Sequence, residues 1–465
     1  MIEANVLLYV VLVLGMVIYA FFSSGLKANF YFLLVYMSVL VVFENQNGWG
    51  MLISDLSQVD NIYNKGTGYL YISLVNVFLF YIAASSFVDR FYGVNVGFHN
   101  LNVHANSFFV LFLCNIFYGI FVEGLAFFDV VSYKGVLNIF NFSIFFFALV
   151  SSIKTEKNYY LFFRVFLAFA FCRGLWGLIR YAFLGGDPSN FYANNQGLDV
   201  KLTFFDINDS FVATVAAFLV LWRLVCDGEL KFTQRLLFLA IFAVEILVVV
   251  LSYRRTAWIG LGLAYLLFAA CQPKALRFKM IFSLIAIGLP VIMVVLAKRS
   301  NVDFGEISLQ SVFPDIFQDG ELSFDTGRFA ELYAAYIAIE DSLLFGLGTW
   351  GSYDGSSFAE LEFHENDFTW MHSGVLHIAL KMGLVGVFLS FAVIYSFSKF
   401  VRAKYLILSR SDKGVAMAGV AGVLFMLPNW FFGTPVIEYR TMQLFAFAFA
   451  LPYIAFAFYC LKKSG

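Results

Sequence analysis

The sequence predicts an all-α, polytopic transmembrane helical bundle of about 12 to 13 spans with one large, partly helical outward loop, and three observations carry that prediction. Apolar residues fill 61% of the 465 positions and charged residues only 13%, too few to clothe the chain in a water-facing surface. Apolar runs long enough to cross a hydrocarbon layer of roughly 30 Å recur along the whole chain. Lysine and arginine gather in alternate connections, as retention of basic loops in the cytoplasm requires.

Taken in order, the runs at 5–23, 28–44, 67–87, 107–122, 135–152, 158–184, 206–225, 236–252, 257–271 and 280–297 make ten spans. Three more lie at 373–398, 414–433 and 440–460. The first run has no basic segment ahead of it, the first lysine being Lys27, and is expected to stay as a helix and not to be cleaved as a signal. The organisation expected is therefore helices over 1–298, a large loop over 299–372 and helices over 373–465, with no repeat and no appended soluble domain. Cys114, Cys172, Cys226, Cys271 and Cys460 fall in apolar runs or at their ends without paired spacing, so neither a disulfide framework nor a zinc site is expected. The net charge of −1 carries no information about partners, because in such chains the distribution of charge matters and not its total. No nucleic-acid partner is expected.

Orientation follows from the most lopsided connection. After the eleventh run come Lys399, Arg402, Lys404, Arg410 and Lys413 against Asp412 alone, which puts this loop in the cytoplasm. The loops with Lys274, Arg277 and Lys279, with Lys231 and Arg235, and with Lys154 and Lys157 then fall on the same side, as does the tail with Lys462 and Lys463. The segment from 300 to 372 faces outward; it holds fourteen acidic residues and a single arginine, Arg328. Its aromatics, Trp350, Tyr353, Phe358, Phe363 and Trp370, and the turns at Gly346–Gly351 suggest a folded cap.

Several charged residues break this pattern. Arg254 and Arg255 sit in the short outward turn Ser252-Tyr253-Arg254-Arg255-Thr256-Ala257-Trp258, against the positive-inside tendency. They either snorkel at a helix end or bind an anion. The sixth run carries Arg164, Arg173 and Arg180, of which Arg173 and Arg180 are seven apart and share one face. A buried arginine costs several kcal/mol unless it is paired or faces a polar cavity, so this face looks into the bundle. It serves either an internal ion pair, with Glu245 as the leading counter-charge or with Asp206, or an anion site.

Arg328 follows Asp325-Thr326-Gly327 and precedes Phe329, Leu332, Tyr336 and Ile339 at helical spacing, so it is expected in the first turn of a helix capped by Asp325 or Thr326. There it would pair with Glu331 on the same helix, or join free N–H groups in binding a phosphate. His372 stands where the loop enters the eleventh span, either as a helix-cap residue or as a catalyst; His377 and His364 are weaker candidates. No metal-ligand spacing links the three.

With those residues in view, the chain resembles the O-antigen ligase and O-antigen polymerase superfamily of bacterial envelope glycan transfer over about Phe205 to Leu389. Ser252-Tyr253-Arg254-Arg255-Thr256-Ala257-Trp258 is similar to its Ser-x-Arg-x-x-Trp turn. Leu344-Phe345-Gly346-Leu347-Gly348 is similar to its Gly-x-Gly element. His372-Ser373 with Lys381-Met382-Gly383-Leu384-Val385-Gly386 resembles its His-Asn and Gly-Leu-x-Gly signature, with Ser373 in place of the Asn. Phe205-Asp206-Ile207-Asn208-Asp209 resembles its Asn-containing entry to the next span.

The resemblance implies a multi-pass inner-membrane enzyme with its active site facing the periplasm. It would transfer a glycan from undecaprenyl diphosphate to a glycan or lipid A-core acceptor, in O-antigen or exopolysaccharide polymerisation or ligation. In that scheme His372 is the general base and Arg328 assists it, while Arg254 or Arg255, Arg180 and Arg173 hold the diphosphate. No cofactor and no metal would be needed, because arginines supply the positive charge, and direct displacement would invert the sugar. The acidic cap would repel a phosphorylated lipid A core, which favours polymerase or exopolysaccharide use. The rival class is a secondary transporter or lipid-linked oligosaccharide flippase, in which the arginines and Glu245 would line a path.

Overall fold

The computed structural model describes residues 28–42, 74–91, 102–126, 130, 137–186, 201–203, 207–227, 230–300, 302, 317–318, 321–322, 327–348, 351–354, 367–368, 371–436 and 438–464. Among these are thirteen helices: α1 (Ala28–Val42), α2 (Leu74–Phe91), α3 (Asn102–Phe121), α4 (Leu137–Ser152), α5 (Glu156–Phe183), α6 (Ile207–Cys226), α7 (Phe232–Val250), α8 (Arg255–Ala270), α9 (Lys274–Ser300), α10 (Gly327–Ile339), α11 (Gly374–Tyr405), α12 (Arg410–Phe432) and α13 (Tyr439–Ser464). Twelve of the thirteen apolar runs coincide with helices, and the run at 5–23 lies outside the described residues. Seven helices, α5, α6, α7, α9, α11, α12 and α13, are long and apolar enough to cross a membrane, and α1, α4 and α8 contain shorter apolar stretches. Two-residue antiparallel ribbons, Phe317–Gln318 with Glu321–Leu322 and Tyr353–Asp354 with Asp367–Phe368, lie between α9 and α11.

The bundle is layered by burial. The spans of α6, α12 and α13 are 78%, 72% and 78% buried, whereas that of α9 is 11% buried and sits on the rim. Glycines let the central helices approach: a Cβ at Gly260 of α8 would strike the Phe425 carbonyl of α12, and one at Gly419 would press on the Ala448 carbonyl of α13. In hydrocarbon such close backbone contact replaces the hydrophobic drive that holds soluble helices together. On the rim, α9 passes through a π turn at Leu284–Gly288, just before Pro290, whose ring nitrogen cannot donate within the helix.

The basic residues that orient the chain collect at one end of the bundle. Lys462 approaches Glu156 and Tyr160, the Trp222 indole donates to the Arg410 carbonyl at 2.7 Å, and Lys413 lies over the Tyr405 ring. At the opposite end the segment between α9 and α11 docks into a break in α11.

That break is at Gly383, where φ is 60° and ψ is −159°. The Leu384 and Val385 amides, freed there from the helix, donate to the Leu343 and Leu344 carbonyls, and the Leu347 amide donates to the Leu380 carbonyl at 2.7 Å. Gly346, itself at φ 72°, lies so close to Met382 and Gly383 that a Cβ would clash with their amides. The two glycine motifs noted in the sequence are thus halves of one backbone joint. Lys381 seals it, being buried and donating to the Gly351 carbonyl at 2.8 Å. Leu343, Leu344 and Phe345 stay exposed beside Leu384 and Phe388, so this stretch continues the apolar surface of α11 and does not stand above it in water.

Candidate active site at the cap end

The helix expected after Arg328 is α10, and its inner face is built largely from small residues. Ala330, Ala335 and Ile339 face inward, Leu332 is half-buried, and Tyr333 and Tyr336 are exposed. Small residues allow α10 to lie close along α11, and their contact also buries Glu331. The carboxylate of Glu331 is thereby delivered to the entrance of α11. Its Oε2 lies 2.9 Å from His372 Nδ1, and its Oε1 accepts from the His372 amide at 2.9 Å and from the Tyr353 hydroxyl at 3.0 Å. Glu331 is thus turned to His372 and Tyr353. Its side chain is 9% exposed while that of His372 is 32% exposed, so the acid is enclosed and the imidazole reaches the surface.

Tyr353 is fixed by its ribbon with Phe368 and by stacking on that ring, 5.9 Å between centroids. Burial, together with the neighbouring Glu331 charge, pushes its phenol well above the ordinary tyrosine range, so it remains a donor. Ser373, standing where the related signature has Asn, caps α11 by accepting from the Leu376 amide. Ser and Asn are both good N-cap residues, so the exchange keeps the local chemistry. His377, one turn further on, is buried, and neither ring nitrogen is hydrogen-bonded among the described residues.

Arg328 is the second residue of α10, three before Glu331, as its first-turn placement requires. The arrangement of its side chain, the proposed caps Asp325 and Thr326, and His364 and Asp206 all lie outside the described residues.

The turn between α7 and α8 shows what its motif residues do. Ser252 donates to the Val249 carbonyl at 2.8 Å, and the Trp258 indole donates to Val249 and Val250 at 3.2 Å, so both cap the end of α7. Tyr253 takes φ 54°, the one positive φ outside glycine among the described residues, and reverses the chain tightly. Arg254 is then the N-cap of α8 and Arg255 its first residue, both half-buried. Arg299, at the end of α9, donates to the Tyr253 carbonyl, and the Tyr181 hydroxyl lies 3.3 Å from that of Tyr253. Arg180, adjacent in sequence to Tyr181 and buried, is carried to the same end of the bundle.

Arg173 is placed deeper. Its described counter-charge is Asp209 of α6 at 3.1 Å, and Asp209 also binds Arg440 of α13 at 3.0 Å. Arg440, fully buried, donates further to the Leu40 and Val41 carbonyls at the end of α1. The expectation of Glu245 as the counter-charge is therefore corrected. Glu245 is buried on α7 beside Gly174 and makes no ion pair among the described residues, because Asp209 one helix away reaches the guanidinium first. Sequence reading passed over Arg299 and Arg440, and it named Glu331 only as a partner of Arg328 and Tyr353 only as a cap aromatic. Of these, the basic pair Lys298-Arg299 offered a signal, since under the orientation expected from the loops it breaks the same charge rule as Arg254 and Arg255.

Fold and site together describe a multi-pass helical membrane protein with a histidine–carboxylate pair and several arginines at the cap end of its bundle. Residues 237–391, one third of the chain from α7 into α11, match the family model for O-antigen ligase, which supports the resemblance to the O-antigen ligase and polymerase superfamily. No curated protein matches the chain. The matched segment contains the Arg254-Arg255 turn, Arg299, α10, the glycine joint and His372, and it supports a membrane O-antigen ligase or polymerase role with glycan-transferring chemistry.

Proposed function

We propose that this chain is a metal-independent, inverting glycosyltransferase of the bacterial inner membrane, moving a glycan from undecaprenyl diphosphate to an acceptor hydroxyl on the periplasmic side. The observation that carries the reading is the His372–Glu331 pair. An ionised carboxylate only accepts hydrogen bonds, so Glu331 selects the imidazole with its proton on Nδ1 and leaves Nε2 as the proton acceptor. Tyr353 and the His372 amide hold the carboxylate in turn, so imidazole orientation does not depend on substrate.

In the reaction, Nε2 takes the proton of the acceptor hydroxyl while its oxygen attacks the anomeric carbon. The bond from that carbon to the diphosphate oxygen breaks, and undecaprenyl diphosphate leaves with the electron pair. Glu331 stabilises the imidazolium. Arginines suit the departing diphosphate because their fixed N–H pairs bind its oxygens bidentately. Arg254 and Arg255 at the start of α8, Arg180 and Arg328 fill this role. Arg299 holds the turn that presents them. Arg173, engaged by Asp209, keeps α5 and hence Arg180 in register.

The reading is tested with purified protein in proteoliposomes supplied with an undecaprenyl-diphosphate oligosaccharide and EDTA. Wild type should form product, and Arg328→Ala and His372→Ala should not. A ladder of products identifies a polymerase and a single addition a ligase. Movement of labelled lipid across the bilayer without any product would replace the transferase by a transporter.

A further inference from the structure

At the basic end of the bundle, away from His372, a cavity of about 570 Å³ opens between α5, α6, α7 and α12. Its lining has the same order on three of the helices. Arg164, Arg223 and Gln234 stand nearer the basic end, and Leu167, Leu219 and Phe238, one turn deeper along α5, α6 and α7, are apolar. On α12 the polar lining again comes first, since Ser411 precedes Val415. The charges do not cancel. Arg223 is paired with Asp227 at 3.2 Å, but Arg164, exposed and about 12 Å along α5 from Glu156 at 1.5 Å per residue, has no hydrogen bond or ion pair among the described residues. An arginine within a span costs free energy unless an anion or water meets it.

We propose that this cavity binds one anionic phospholipid of the adjoining leaflet. Its phosphate is held by Arg164 and flanked by Arg223, and its acyl chains run down past Leu167, Leu219 and Phe238. Charge complementarity selects a lipid with net negative charge over a zwitterionic one, because a second cation in the headgroup would meet Arg164 and Arg223. The apolar floor selects a lipid over a free phosphate.

The test uses the full chain, delipidated in a neutral detergent. Bound lipid is counted by native mass spectrometry, and melting is followed while phosphatidylglycerol, phosphatidylcholine or inorganic phosphate is added. Phosphatidylglycerol should raise the melting temperature and leave one retained copy; phosphatidylcholine and phosphate should not. Arg164→Gln should lose both effects, and Leu167→Trp, which fills the floor and keeps the charge, should also lose the retained copy. Equal stabilisation by phosphatidylcholine, full retention in Arg164→Gln, or a shift reproduced by phosphate alone would each overturn the proposal. None of these readouts involves glycan transfer, so failure here leaves the transferase reading standing, and the reverse also holds.

Discussion

Replacing Glu331 with Gln isolates the role of the carboxylate without emptying the space it fills. Three contacts converge on it: His372 Nδ1 at 2.9 Å, the His372 amide at 2.9 Å and the Tyr353 hydroxyl at 3.0 Å. The amide retains one accepting oxygen, so the shape of the cap should survive. What disappears is the negative charge facing the imidazole, together with its preference for a proton on Nδ1. A hydrogen bond to a charged group contributes about 1.5–3 kcal/mol, and this one matters most when the imidazole has become a cation. At 1.36 kcal/mol per decade, turnover should fall by roughly 10- to 150-fold. In the proposed mechanism donor binding lies with the arginines, so its half-saturating concentration should stay near the wild-type value. Initial rates in proteoliposomes at varied donor concentration separate the two parameters. Glu331→Ala is a poorer probe, since it strands the Tyr353 hydroxyl and the His372 amide at about 1–3 kcal/mol each. If Glu331→Gln turned over within twofold of wild type while His372→Ala was inactive, the carboxylate would have no orienting role. An active His372→Ala would remove the base itself.

Gly383→Ala should loosen the joint between α11 and the cap. A side chain there meets the Leu344 carbonyl and a backbone conformation costing about 1–3 kcal/mol, so faster proteolysis between residues 343 and 373 and loss of transfer are expected. Unchanged proteolysis would show that the cap is held elsewhere. Asp209→Asn leaves Arg173 and Arg440 buried without their shared carboxylate, which should cost about 3–5 kcal/mol and lower the melting temperature by several degrees; a wild-type melt would refute the network. Arg299→Ala removes the donor to the Tyr253 carbonyl and should raise the half-saturating donor concentration several-fold with a smaller effect on turnover, whereas an effect on turnover alone would contradict its role at the diphosphate turn. Transfer should proceed at the same rate in EDTA, and a loss that Mg²⁺ restored would mean that a metal and not arginine neutralises the leaving group.

How much was legible depended on the range of the interaction concerned. The spans could be read because partition into hydrocarbon is additive over about 20 consecutive residues, and no distant partner is needed to make a helix there. The Arg254-Arg255 turn was conspicuous for a similar reason, as two cations on the wrong side of a local charge rule. Glu331 had no such mark. It is one of fourteen acids between 300 and 372, and its partner lies 41 residues away. The apolar spacing on its helix marked a helix but not its inner face, where alanines pack against a neighbouring helix. Asp209 and Arg440 are 231 residues apart and meet only when α6 and α13 lie side by side at the centre of the bundle.

Hydropathy was enough to define an all-helical bundle, since it depends only on how a local stretch partitions between water and lipid. The glycine motifs were visible as strings, but their meaning as a single joint required seeing Gly346 against Gly383. Which acid holds His372, which carboxylate neutralises Arg173 and where, among the described residues, Arg164 goes unmatched are decided by packing. Hydrogen bonds and ion pairs act over about 3 Å, a distance at which neighbours are chosen by the fold and not by the order of the chain.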